Sequence, residues 1–506
     1  MASVLFTHSY FLRFDPKQYR TGQPYPPLGT LYAAAVLREA GHEVSLHDTM
    51  FSESPDEILP RLEQERPAYL VLYDDGFNYL TKMCLTNMRE AAFRMIHHAK
   101  KFGCTVIISS SDATDHAERY LDEGADVVIT GEAEISLREL LEAYKKQETN
   151  SYASETSGLE IVAGIVFRQN GRTIRTSKRD VLRDLDSLPM PAYDLVRIEP
   201  YKQMWQRHHG YFSLNVATTR GCPFSCNWCA KPIYGNRYNS RSPQNVVREL
   251  LELKRLFDFD HIWFCDDIFG LKPGWVGEFA DEVHKAGLSF RFKIQSRADL
   301  LTKPGTTEAL ARAGCETAWM GAESGSQKIL DAMDKGITVA QIHEAVHAVK
   351  LAGMKPALFL QFGYPGETKV DIEATIEMLL NLMPSDIGVS VSYPLPGTLF
   401  YDNVKHDLQA KANWTDSDDL ALMFRNAYSP EFYKRLHRFV HKRFRGRMAL
   451  CSLRNIAGTI FSKPSSVLAA DIRLAILTAY YFPAAAVDAV RLRFLYKHLH
   501  KTTSAP

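Results

Sequence analysis

The stretch FSLNVATTRGCPFSCNWCAKP, residues 212–232, joins an apolar run to three cysteines, Cys222, Cys226 and Cys229, in a C-x-x-x-C-x-x-C array. The run 212–217 reads as a β-strand, so the array begins just beyond that strand's carboxyl end. Outward from it, strand-like runs at 261–265, 290–295, 316–320, 356–361 and 386–392 alternate with helix-like patterns at 243–257, 275–286, 306–313, 338–352 and 369–383. Six strand–helix units predict a partial (β/α)6 TIM-like barrel, with functional groups at the strand carboxyl ends.

Upstream, SVLFTH, EVSLHD, AYLVLYD, CTVIISS and ADVVIT alternate with amphipathic segments such as 28–40, 83–101 and 134–145. That alternation predicts a doubly wound, Rossmann-like α/β domain whose ligand loops follow the strands. Pro26, Pro27 and Gly29 form a rigid turn opening one helix, and Gly131, Glu132 and Glu134 open another. Either loop reads as a binding loop or as ordinary turn and capping chemistry. A hairpin tipped by Asn170-Gly171 follows, then a linker with Pro189 and Pro191. The expected division is 1–150, first domain; 151–205, hairpin and linker; 206–405, barrel; 406–506, basic helical C-terminal region.

The chain of 506 residues is 45% apolar and 24% charged, the composition of an ordinary globular protein. Its N-terminus carries no secretory pattern, and eight cysteines with three clustered suit metal chemistry in a reducing, cytoplasmic compartment. The net charge of +1 conceals an asymmetry: 14 of the 60 Lys+Arg but three of the 59 acids lie in 431–506. No nucleic-acid partner is expected.

A closed zinc site needs a fourth ligand, and the chain has no second C-x-x-C pair. Cys84, Cys104, Cys315 and Cys451 stand isolated; Cys265, ending the second barrel strand, is the remaining candidate. Three thiolates with an open fourth position suit an iron–sulfur cluster whose free iron binds a further molecule.

The run CPFSCNWC resembles the signature of radical S-adenosylmethionine (radical SAM) enzymes. The resemblance implies a 4Fe-4S cluster on Cys222, Cys226 and Cys229, SAM chelated at its unique iron, and Trp228 near the adenine. Asp266 and Asp267 in WFCDDIFG stand where many members carry a Gly-Gly-Glu that holds the SAM amino group. Gln295 and Arg297 in FKIQSRADLL, Glu323 and Ser324 in WMGAESGS, Gly363 in FLQFGYPGET and Pro396 in SYPLPGT recur at successive strand ends and complete the implied cofactor set.

The whole of residues 1–400 is similar to the cobalamin-dependent subclass. Its implied cofactors are the cluster, SAM and cobalamin, and the front-domain residues Pro26, Pro27, Gly29, Gly131 and Glu132 become candidates for the last. An Asp-x-His-x-x-Gly motif is absent, and His116 lacks its spacing. The implied reaction is methylation of an unactivated carbon through a 5′-deoxyadenosyl radical and methylcobalamin. The alternative is a non-methylating oxidative ring closure, as in the anaerobic magnesium-protoporphyrin monomethyl ester cyclase; a non-catalytic cobalamin sensor would carry a broken array. Implied partners are a small-molecule substrate (natural product, tetrapyrrole or lipid) and an electron donor such as flavodoxin or ferredoxin.

Residues 434–454 hold eight Lys+Arg and no acid among apolar residues at helical spacing. This basic helix reads as a cap on the acidic body, with peripheral contact to the inner membrane surface as the alternative. The run LAILTAYYFPAAAV, 474–487, is too short to span a bilayer and is expected to be a buried helix.

Overall fold

The computed structural model describes residues 2–77, 85–149, 158–408, 413–459 and 468–502. The first domain runs β1 (Ser3–Thr7), α1 (Leu28–Glu39), β2 (Glu43–His47), β3 (Tyr69–Tyr73), α2 (Thr86–Lys101), β4 (Thr105–Ser109), β5 (Val127–Ile129) and α3 (Glu134–Thr149). The hairpin β6 (Ile165–Gln169) and β7 (Arg172–Arg175) continues the same sheet, ordered β2-β1-β3-β4-β5-β6-β7. Neighbours pair in parallel up to β5 and antiparallel beyond it. All five residues of β3 are buried, as a central strand covered on both faces requires. Asn170 and Gly171 both take positive φ, 51° and 74°, which a two-residue hairpin turn of this hand demands.

The barrel follows α4 (Ile198–His209): β8 (Ser213–Val216), a short ribbon of β9 (Thr219–Arg220) and β10 (Asn239–Ser240), and α5 (Pro243–Phe257). Then come β11 (His261–Phe264), α6 (Trp275–Lys285), β12 (Arg291–Ser296), α7 (Thr306–Ala313), β13 (Cys315–Glu323), α8 (Val339–Leu351), β14 (Lys355–Phe362), α9 (Lys369–Leu382) and β15 (Asp386–Val391). The sheet order β15-β14-β13-β12-β11-β8 is parallel throughout. Each helix forms for local reasons. In α5, Ser242 accepts the Asn245 amide as N-cap, Pro243 fills the first turn, and Val246, Val247, Leu250 and Leu253 form the buried stripe.

The segment Pro24–Pro27 leaves the first domain and packs beside β8, the first barrel strand. Tyr25 lies against Trp205 and Trp263, with ring centroids 5.3 and 4.8 Å away. Trp205 Nε1 donates to the Pro24 carbonyl at 2.7 Å, and Asn215 Nδ2 donates to the Pro26 carbonyl at 3.0 Å. One apolar core therefore runs through both domains.

At the C-terminus, α10 (Pro430–Thr459) buries Phe432, Tyr433, Leu436, Val440 and Phe444 and packs on α9 and β15 as a cap. The helix α11 (Leu468–Thr502) returns antiparallel along α10. Buried Asp488 accepts from Arg435 at 3.1 Å and Lys442 at 2.7 Å. Two of the cap's cations thus meet the tail's own acid rather than the acidic body. The run 474–487 also departs from expectation. Ile476, Tyr480, Phe482 and Val487 are exposed, because α10 covers only the face that carries Ala485, Asp488 and Leu492. Among the described residues no helix is long and apolar enough to cross a membrane.

Candidate active site

The three cysteines occupy an irregular loop between β9 and β10, at the carboxyl end of β8. Gly221 opens it with φ +80°, and a Cβ there would meet the Arg237 carbonyl oxygen at 2.4 Å, so only glycine closes the loop. Cys222, Cys226 and Cys229 are half-buried free thiols. Burial pushes the Cys222 thiol up; burial and then the Asp267 charge push Cys229 up to about 12. Thiolates form here only against a compensating cation, which fits metal ligands and not a free nucleophile. Among the described residues no three His, Cys, Asp or Glu side chains converge on one ion. A cluster, which places each thiolate on a separate iron, asks for wider spacing.

Asn227, inside the array, anchors the loop from every side. Its amide donates to the Met333 carbonyl at 3.1 Å, its Nδ2 to the Ala332 carbonyl at 2.7 Å, and its Oδ1 accepts from the Tyr364 hydroxyl at 2.8 Å. The Phe400 amide donates to its carbonyl at 2.9 Å. Lys231 donates to the Phe224 carbonyl and to Asn236 Oδ1. Trp228, packed in the loop, has a buried Nε1 without a protein partner, and the Lys335 ammonium lies 5.9 Å from its ring. A buried indole N–H left open beside the thiols fits a bound polar ligand.

Several expected cofactor contacts are instead spent within the protein. Asp266, 1% exposed, accepts from the amides of Thr218 and Thr219 and from the Thr218 hydroxyl, all at 2.7 Å, and so fixes the exit of β8. Asp267 is the member of the pair that faces the loop: its charge acts on Cys222 and Cys229, and it lines a small pocket with Ser111, Lys231, Ile233 and Tyr234. Arg297 lies flat on Phe224 at 3.6 Å and donates to Asp299 and to the Lys335 carbonyl, which makes it a positioning residue. Glu323, at φ 56°, forms a buried ion pair with Lys335 at 2.7 Å.

Ser324 is fully buried, sharing a hydrogen bond with Thr375 and accepting the Ser326 amide; it caps a turn and does not face the site. Gln295 is half-buried and shares a strand face with Lys293. Gly363, at φ +82°, donates its amide to Glu367 at 2.7 Å and backs onto Tyr433. Pro396 opens the turn before Thr398, which caps the helix Leu399–Val404.

The front-domain loops differ most from expectation. The Gly29 amide in the first turn of α1 is taken within the domain, donating to Asp75 at 3.1 Å, while Pro26 and Pro27 belong to the segment packed on β8. Glu132 accepts from the Leu182 amide at 2.6 Å and pairs with Arg220, and Glu134 pairs with Arg220 at 2.7 Å. Arg220, 4% exposed, also lies 5.4 Å from the rings of Tyr32 and Tyr234. Gly131 takes the left-handed φ of +75° that favours glycine, and the Ile233 carbonyl of the cysteine loop packs against it, 3.5 Å from where a Cβ would stand. His116 is exposed, on the far side of Asp112 at 3.8 Å. Sequence reasoning missed Arg220, Asn227 and Lys335; the first two lie inside the quoted stretch, where cysteines drew the eye.

The site is thus a cysteine-bearing barrel mouth locked against the carboxyl-end loops of a doubly wound domain, the layout of a radical enzyme with a second, front-domain cofactor. Two family models match the chain: the radical SAM superfamily over residues 216–379 and the B12 binding domain over 20–141. The chain therefore carries a B12-binding domain followed by a radical SAM domain, the domain pair of the cobalamin-dependent radical SAM enzymes, and these domains imply a 4Fe-4S cluster, SAM and cobalamin as cofactors.

Among its relatives, an uncharacterized methyltransferase of Pyrococcus horikoshii is 27% identical over 405 residues, covering 78% of this chain and 82% of the relative. The anaerobic magnesium-protoporphyrin IX monomethyl ester cyclase of Cereibacter sphaeroides is 24% identical over 400 residues, covering 76% of this chain and 61% of the cyclase. In fold, the chain is similar to the cobalamin-dependent S-adenosylmethionine radical enzyme OxsB with aqua-cobalamin bound. That match has a TM-score of 0.71 and 16% identity over 97% of this chain and 72% of OxsB.

Proposed function

We propose that the protein transfers a methyl group to an unactivated carbon of a small molecule. The observation that carries this reading is the seam at Gly131 and Ile233, where the cysteine loop of the barrel meets the strand-end loops of the B12-binding domain. When bound, the cluster with SAM supplies hydrogen-atom abstraction and cobalamin supplies the methyl group.

The chain's own residues do the rest. Cys222, Cys226 and Cys229 would hold the cluster, and Asn227, Lys231 and Arg297 fix their loop. Trp228 offers a free buried N–H, and Asp267 offers a carboxylate suited to the ammonium of SAM. Asp266, Arg220 and Glu132 hold the two domains and the strand exit in register. The cap α10 covers the end of β14 through Tyr433 and Gly363 and keeps water from that side.

Anaerobic reconstitution with iron, sulfide, cobalamin, SAM and a strong reductant tests the reading without a known substrate. Methylcobalamin and S-adenosylhomocysteine formed together are the expected products. Deoxyadenosine alone, with cobalamin bound and never methylated, would turn the assignment to a non-methylating reaction such as the cyclase activity named in the C. sphaeroides relative.

A further inference from the structure

We propose that the outward face of α11 docks on an anionic phospholipid surface. Ile476, Tyr480, Val487, Val490 and Phe494 are 62, 60, 50, 50 and 61% exposed, and they recur at spacings of three, four and seven residues, one stripe of a helix. Phe482, 41% exposed, adds to the apolar surface. The helix cannot roll to hide the stripe. Its opposite face is held by Asp488 against Arg435 and Lys442, by buried Ala485 and Leu492, and by Tyr496 against Tyr428 and Phe432.

Charge and area select the occupant. Arg491 and Arg493 on α11 are exposed, as are Arg443 and Arg447 on α10, while of the acids on these two helices whose side chains are described, Asp488 is buried in its pair and Glu431 sits at the start of α10. A second copy would bring like charges together. The stripe from 476 to 494 is about 28 Å long at ~1.5 Å per residue and about 10 Å wide. Two such footprints supply about half of the ~1,200 Å² that a stable dimer buries. An apolar helix face rimmed by arginine is what an acidic lipid interface holds, with the apolar side chains among the acyl chains and the guanidinium groups at the phosphates.

The test is cosedimentation of the reconstituted full-length chain with vesicles of equimolar phosphatidylcholine and phosphatidylglycerol, against phosphatidylcholine alone. Binding to the anionic vesicles is expected, weakened by salt, and reduced at least about tenfold by Val487→Glu with Phe494→Glu at unchanged iron content. Phe494→Ser is the milder companion should the double variant lose its cluster, and it should weaken binding in the same direction. No binding to anionic vesicles, or binding insensitive to these substitutions, would overturn the proposal. So would a dimer that the same substitutions dissolve, since a second copy would then be the occupant. Vesicle binding needs no turnover, so this result is separate from the outcome of the methyl-transfer test.

Discussion

Arg220, the residue two before the first cysteine, closes a buried ion pair with Glu132 of the other domain. Removing the arginine alone leaves Glu132 and Glu134 as uncompensated buried carboxylates. Arg220→Met should therefore destabilise the protein by about 3–5 kcal/mol, whereas Arg220→Met with Glu132→Gln and Glu134→Gln should recover much of the loss. Chemical denaturation of the three proteins checks this.

The adjacent aspartates should separate cleanly. Asp266→Ala strands three donors in the core and should cost about 1–3 kcal/mol or more in stability. Asp267→Asn should leave the unfolding midpoint in place while weakening SAM binding about tenfold, the loss of one charge-assisted contact. Calorimetric binding of SAM to the reconstituted protein, beside thermal unfolding, distinguishes the two roles.

Glu367 gives the protein a pH signature. Burial pushes its carboxyl up to about 8 from the ordinary 4.5, and one oxygen has no partner while the other takes the Gly363 amide. A carboxyl whose folded pKa exceeds its unfolded value contributes stability that is full below the unfolded pKa and is lost as pH rises through the folded one. Glu367→Gln keeps the acceptor for Gly363 without the titration. Its stability relative to the native protein should therefore rise steadily between about pH 5 and about pH 8, measured as denaturant midpoints.

Lys335 pairs with Glu323 at 2.7 Å, and the Cys226 thiolate would add to what holds it charged. Lys335→Met with Glu323→Gln removes the cation without stranding the carboxylate. The variant loses opposite charges, but the ammonium is the one whose field acts on Cys226, so its cluster should be slightly harder to reduce, with a midpoint modestly more negative in an anaerobic redox titration. An unchanged midpoint would limit the pair to a structural role.

The strands were legible because each is a short apolar run between turn signals, and the barrel helices because their apolar stripes recur at 3.6-residue spacing. β13 alone ran noticeably past its expected end, to Glu323, where the chain enters positive φ. Cysteine spacing announced the metal loop. What stayed hidden were partner choices that only the tertiary fold makes. Nothing in DD tells which aspartate turns inward to Thr218 and which faces Cys229, and nothing in TGEAE shows that its glutamates await an arginine nearly ninety positions later. The exposed face of α11 was misjudged for a related reason: an apolar run reports a preference for leaving water, not which neighbour will supply the cover.

Tyr25 carries a consequence for how such proteins are assembled over evolutionary time. It comes from the front domain, yet its ring completes a wall of the barrel beside Trp205 and Trp263, and the Lys293 ammonium rests 5.4 Å from it. Burial of that one ring is worth roughly 1.5–3 kcal/mol to the barrel. A front domain exchanged for a counterpart without an aromatic plug at this position would leave that wall of the barrel open, so the two modules are coupled through one side chain.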